Sequence, residues 1–199
     1  MASHLNCDAR YKTIEWALKS IEDAKPDHIY LSCSYENGKK PMLPILSCPY
    51  SFYFHENRKL QFEHFQFLLQ FVDDNDIVCF LDDDDLMTPD KISIVSENFK
   101  DPNVNVIRHL IAPFEFFQEE PTISRVENIK VSFSCMFWEY CSLCIRGFKF
   151  KEWFKENYNF NGFSDIVFCN SFSPDIKINQ ILTYFRKSNH KRNYNRITN

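Results

Sequence analysis

The chain has 199 residues, 44% of them hydrophobic, which suits one compact domain with a real core and excludes wholesale disorder. No apolar stretch approaches the ~20 residues of a membrane-crossing helix, and the opening Met1-Ala2-Ser3-His4 lacks the basic and apolar regions of a secretory signal. The formal net charge of −4 hides a division: eight aspartates and no Lys or Arg between Asp73 and Asp90, then five basic residues and no acid from Arg186 to Asn199.

The first helix is predicted over Arg10 to Asp23, where Ile14, Ala17, Leu18 and Ile21 form one apolar stripe. Asp8 is a candidate N-cap, and Pro26-Asp27 ends the segment. His28 to Cys33 reads as a strand, a loop follows from Tyr35 to Pro49, and Phe52 to His55 reads as a short aromatic strand. A second helix is expected over Lys59 to Val72, with Phe62, Phe65, Leu68, Leu69 and Val72 on one face. After the break at Asp73-Asp74-Asn75, the continuous apolar run Ile77 to Leu81 has the pattern of a strand buried on both faces. Thr88 as N-cap and Pro89 at the first helical position then start a helix that turns Ile92, Val95 and Phe99 inward.

This alternation implies a largely parallel sheet covered by helices, with ligands expected beyond the carboxyl ends of the strands. The second half is less regular. Val104 to Phe117 reads as a strand pair or one long bent strand, Phe148 to Tyr158 and Phe163 to Phe172 as helices, and Ile176 to Phe185 as a short closing strand. Eight scattered cysteines fit a reduced, cytosolic setting, and the single C-x-x-C at Cys141 and Cys144 is too little to specify zinc. No internal repeat is present, so residues 1–199 are read as one domain. Its 21 Phe and only 3 Gly fit the usage of an AT-rich genome, as in a parasite, a symbiont or a large virus (placing the protein in the host cytoplasm in the last case).

Asp82-Asp83-Asp84-Asp85 directly follows the apolar run and directly precedes the capped helix. Four consecutive carboxylates repel one another, and a hard divalent cation relieves that repulsion while leaving coordination positions for substrate phosphates. Mg²⁺ or Mn²⁺ with a nucleotide-diphosphate ligand is the expectation; a solvated acidic loop is the alternative. A phosphohydrolase pattern D-x-D-x-Thr/Val fits Asp82 and Asp84 but fails at Leu86.

Residues 76–92, DIVCFLDDDDLMTPDKI, resemble the D-x-D segment of GT-A glycosyltransferases, particularly the family 2-like group. Arg10 to Ile21 is similar to that group's first helix, and Lys59 to Val72 to the helix leading into the metal strand. The resemblance implies a GT-A-like, mixed and mostly parallel α/β sheet flanked by helices. Residues 1–100 would be the nucleotide-sugar half, 101–185 the acceptor half and 186–199 a basic tail. It further implies a metal-dependent transferase moving a sugar, most simply from a UDP-sugar, to a hydroxyl of a glycan, protein or lipid.

Asp82 and Asp84 would bridge donor and metal, with Asp83 beside them in the donor site and His190 a third metal ligand. Arg186 would neutralise the leaving phosphates, as would Lys187. Asn161 to Phe168 looks like the segment carrying the acceptor base, which makes Asp165 the base of an inverting displacement or, alternatively, only a helix cap. Ser34, Arg58 and Gln61 are positional candidates for the donor site. The family's first strand is nearly absent from the sequence. A degenerate, non-catalytic binding protein and a nucleotidyltransferase remain as alternatives. Nucleic acid is not an expected partner, because the aspartate face would repel its phosphates; the aromatic content allows a homodimer.

Overall fold

The computed structural model describes residues 1–5, 8–35, 38, 40–115, 139–157 and 165–187. Strands β1 (Ala2–Leu5), β2 (Ile29–Tyr35) and β3 (Tyr50–His55) form a parallel sheet in the order β1-β2-β3. Ala2 stands opposite Ser32, and Ile29 opposite Tyr50. A first strand therefore does exist, although the residues read as nearly lacking one: Ser3 and His4 sit in the ladder because the apolar Ala2 and Leu5 are buried on it.

A second sheet has the order β4-β7-β6-β8-β5, built from β4 (Ile77–Cys79), β5 (Leu86–Met87), β6 (Val106–Glu115), β7 (Leu143–Arg146) and β8 (Ile176–Lys187). Only β6 and β8 run parallel within it; the β4–β7, β6–β7 and β5–β8 pairs are antiparallel. The mostly parallel character expected of a mixed sheet thus belongs mainly to the first half. A parallel bridge between Ala2 and Asp82 joins the two sheets edge to edge.

Helices cover both faces. Alternation along the strands sends Ile107 and Cys144 to one side, with α3 (Lys91–Asn98), and Val106, Leu143 and Ile145 to the other. On the first side α1 (Asp8–Asp23) lays Ile14, Ala17, Leu18 and Ile21 on Leu5, Leu31 and Cys33. On the second side α2 (Gln61–Leu68), α4 (Gly147–Glu156) and α5 (Asp165–Asn170) enclose an aromatic cluster. There Phe65, Phe80, Tyr140, Phe150 and Phe168 meet largely edge to face, with Phe80 and Phe150 centroids 5.2 Å apart. This cluster absorbs much of the unusual Phe content.

Local readings are corrected at three points. Helix α1 includes Asp8 rather than being capped by it. The apolar run 77–81 is a strand only to Cys79 and is half-buried there, because β4 has a described partner on one side alone; Phe80 and Leu81 leave the ladder and bury in clusters on opposite faces of the sheet. Helix α3 begins at Lys91, not at Thr88-Pro89: the Thr88 amide and hydroxyl both reach the Leu182 carbonyl, and the hydroxyl also meets the Asp90 carboxylate at 2.6 Å. Among the described residues no helix is long and apolar enough to cross a membrane.

Candidate functional site

The four aspartates run from β4 towards β5, and their burial alternates. Asp83 and Asp85 are each 3% exposed, whereas Asp82 and Asp84 stay half-buried. Past the bridge that ties Asp82 to Ala2, the chain turns at Asp83 and Asp84, with the Asp85 amide 3.5 Å from the Asp82 carbonyl. Two carboxylates are thereby turned inward and two left accessible.

Asp83 is consumed by the fold. Its oxygens accept from the Ser3 hydroxyl at 2.6 Å and from the Arg10 guanidinium at 2.9 and 3.1 Å. The Asp83 charge, reinforced by Asp84 and Asp82, raises the Arg10 pKa further. A donor-binding part for Asp83, expected from the sequence, is thus replaced by internal partners.

Asp85 accepts the Arg186 amide at 3.0 Å through one oxygen. Its other oxygen is buried beside the Cys141 thiol without an N–H or O–H donor among the described residues. Burial first, and the neighbouring Asp84 charge second, push the Asp85 carboxyl well above the usual carboxylate range. The Cys141 thiol is pushed well up too, by burial and then by Asp85 and Glu139.

Around the accessible pair stand three further groups. Gln61, at the start of α2, donates to Asp82 at 3.3 Å and to the Tyr140 hydroxyl at 2.8 Å. Tyr140 itself is buried, in the 3₁₀ turn Tyr140–Ser142 that leads into β7. From β8, Arg186 brings its guanidinium to 3.8 Å from Asp84. Of the residues expected from the sequence, the structure therefore brings together Asp82, Asp84, Gln61 and Arg186.

It separates others. Ser34 is fully buried at the end of β2, its hydroxyl 2.9 Å from His4 Nδ1 and 3.1 Å from His64 Nε2. Ser32 bonds the other ring nitrogen of His64 at 2.8 Å, and also His55 at 2.9 Å. Ser34 thus belongs to an interior His–Ser network rather than to an open pocket, a correction the hydrophobic pattern could not foresee. Arg58 is exposed between β3 and α2 and makes no hydrogen bond or ion pair with the aspartates among the described residues. Asp165 is the first residue of α5; its side chain lies outside the described groups. His190 lies outside the described residues.

Sequence reasoning missed three participants. Arg10 was read only as a helix start, Tyr140 drew no attention, and Lys91 was not expected to be wholly buried. Lys91 donates to the Cys141 carbonyl and to the Thr183 hydroxyl, each at 3.0 Å, and so fastens α3 to the 3₁₀ turn and to β8. The signal that could have exposed Arg10 was charge balance: a four-aspartate loop must meet cations, and Arg10 belongs to the other segment with a recognisable pattern.

Among the described residues no group of three His, Cys, Asp or Glu side chains forms a ready cation cage. Asp82 and Asp84 nonetheless fit a Mg²⁺- or Mn²⁺-like ion, which takes one or two carboxylates and completes its shell with water and substrate phosphate.

No protein-family model matches the chain, and no curated protein does. Solved structures do resemble it. The crystal structure of Staphylococcus aureus TarS 1–349 in complex with UDP-GlcNAc is 13% identical, with a TM-score of 0.55, over 94% of this chain and 58% of that one. The structure described as TarS 1–349 alone gives a TM-score of 0.56 at 13% identity, over 93% and 60% of the two chains. This chain thus spans about three fifths of the length of those proteins. The fold is the expected one: GT-A-like, mixed α/β, with a parallel sheet flanked by helices.

Proposed function

We propose that this protein is a glycosyltransferase that takes a sugar from a nucleotide-diphosphate donor, a UDP-sugar in the simplest case, and passes it to an acceptor hydroxyl. The observation that carries the reading is the alternation within the aspartate run. In a GT-A-like fold it leaves Asp82 and Asp84 accessible, with Gln61 and Arg186 against them. That the same fold occurs in a protein crystallised with UDP-GlcNAc supports the donor class. Membership of the family 2-like group belongs to this proposal as well.

In this reading Asp82 and Asp84 hold a divalent cation, which would supply positive charge to the departing diphosphate. Gln61 keeps the Asp82 carboxylate oriented by sharing its amide between Asp82 and Tyr140. Arg186 adds a second positive charge where the diphosphate leaves, and its present contact with Asp84 is the one it would relinquish. The bond between the anomeric carbon and the diphosphate oxygen breaks with its electron pair, and the acceptor oxygen forms the new bond. The acceptor's proton passes to a carboxylate, for which Asp165 is proposed, giving inversion.

A specific observation favours a second reading, a non-catalytic binding protein: Arg186 already stands as a cation beside Asp84, and Arg10 beside Asp83. The test is thermal stability and sugar release with UDP-, GDP-, CMP- and dTDP-sugars, with and without Mn²⁺. A metal-dependent shift with one nucleotide, accompanied by turnover and lost in Asp84→Asn, is expected. A shift without turnover supports the binding protein, and no shift with any nucleotide sinks both.

A further inference from the structure

The sequence sets Cys144 near Cys141 at C-x-x-C spacing, but the fold gives it a different neighbour. Cys141 lies in the 3₁₀ turn before β7, and its thiol bonds the Asp85 carboxyl. Cys144, on β7, stands directly opposite Cys79 on β4, 60-odd positions away in sequence.

Opposed residues of an antiparallel ladder alternate between hydrogen-bonded pairs and non-bonded ones, and in the latter the Cα atoms come to ~4.5 Å. The Gly147 amide donates to the Asp76 carbonyl at 2.8 Å, which makes Asp76 and Gly147 a bonded position. Along the register Val78 and Ile145 are bonded again, and Cys79 and Cys144 fall at the closer, non-bonded kind. Directly opposed side chains share a face of the sheet, here the one covered by α3, where both cysteines pack in one apolar cluster. A disulfide needs Cα atoms ~4.4–6.8 Å apart and Cβ atoms that point together. The backbone already meets that requirement.

The two sulfurs share a hydrogen bond. It lowers the Cys79 pKa against the opposing effect of burial, and the Lys91 charge adds to the lowering. The same bond, with burial, pushes Cys144 well up. Lys91 is itself held in place, wholly buried, by the Cys141 carbonyl and the Thr183 hydroxyl. Cys79 is therefore the thiolate that attacks, and Cys144 the thiol that resolves.

We propose that Cys79 and Cys144 form a redox-responsive disulfide across β4 and β7, made by a peroxide and undone by thiols. The Cys79 thiolate takes one oxygen from hydrogen peroxide. The O–O bond breaks, leaving a sulfenic acid and a hydroxide that is protonated to water. The Cys144 sulfur then attacks the Cys79 sulfur: the S–S bond forms, the S–O bond breaks, and the Cys144 proton leaves with the hydroxide as a second water. The two thiols lose two electrons and the peroxide gains them. The link closes the chain between β4 and β7, a span that contains Asp82, Asp84 and Tyr140. It does not depend on the proposed sugar transfer.

The test treats the folded, fully reduced full chain with hydrogen peroxide and maps the product by peptide mass. Expected are the loss of two hydrogen atoms from the intact mass and a cross-linked peptide pair containing Cys79 and Cys144. With them should come a rise in Tm of about 10 °C that dithiothreitol reverses. Cys144→Ala should leave a sulfenic acid on Cys79 that dimedone traps, and Cys79→Ala should leave Cys144 unlinked. Cys48→Ala, at another half-buried cysteine, should link as the parent does. A link between Cys141 and Cys144, a link formed only in urea, or a Cys79 sulfenic acid that Cys144 never resolves would overturn the proposal. So would a folded chain whose thiols all survive excess peroxide.

Discussion

Asp83 and Asp84 are neighbours in sequence with opposite surroundings, so the same substitution should report different things at each. Asp83→Asn weakens the pairing with Arg10 and Ser3 at a buried position and should cost about 1–3 kcal/mol of stability. Asp84→Asn removes the charge that opposes ionisation of Asp85 and should leave Tm unchanged or raised, while abolishing any stabilisation by nucleotide with Mn²⁺. Thermal melts of the two variants, each with and without UDP and Mn²⁺, check both outcomes. The aspartate cluster was plain from the sequence, because eight acids without a base in eighteen positions is a strong signal. Which two of the four turn inward was not, since that depends on the turn at Asp83 and Asp84 that follows the Ala2 bridge. Ser34 was misplaced for a related reason: a serine at the end of a strand looks alike whether it faces a ligand or two histidines.

The same contrast recurs between helices and strands. The helical stripe of α1 is local information, and Ile14, Ala17, Leu18 and Ile21 are all buried as their spacing requires. Strand pairing is not local, and nothing in residues 77–81 reveals that β4 has an antiparallel neighbour 60-odd positions away. The start of α3 was misjudged because Thr88, a good cap by type, is claimed by β8. A glycine shows how tightly these elements meet. Gly147 opens α4 with its amide on the Asp76 carbonyl at 2.8 Å, and a Cβ there would collide with the Asp73 carbonyl oxygen. Gly147→Ala should therefore destabilise by about 1–3 kcal/mol, through backbone displacement rather than any demand for an unusual φ. On the opposite wall of that helix, Phe168→Ala empties the middle of the aromatic cluster and should cost about 3–5 kcal/mol. Urea unfolding of both variants, with unchanged m-values, is the check.

Protonation links these parts, because the interior holds ionisable groups on both sides of the sheet. Burial, with His55 and Lys59 nearby, lowers the His64 pKa from 6.5 to about 3, and burial holds His109 well below its usual value. Burial likewise brings the Met1 amino group from 8.0 down to about 5. Each of these bases is neutral in the fold and takes up a proton more readily once unfolded. Below the unfolded pKa the unfolded chain binds more protons, so stability is complete above that value and is lost as pH falls towards the folded one. Asp85 acts in reverse: its raised pKa lowers stability as pH climbs above the ordinary carboxylate range. Between pH 8 and 5 the three bases all titrate in one direction and outnumber Asp85, so stability should fall with acidity, most steeply below pH 6.5 where both histidines take part. For His64 alone, the interval from pH 6.5 to 5 amounts to about 2 kcal/mol. His64→Gln keeps a polar side chain between Ser32 and Ser34 but cannot titrate, so its urea midpoint should depend less on pH than that of the parent. Midpoints measured from pH 8 to 5 decide the matter. A parent and variant that lose stability in parallel would show that His64 is not the group whose protonation destabilises the fold.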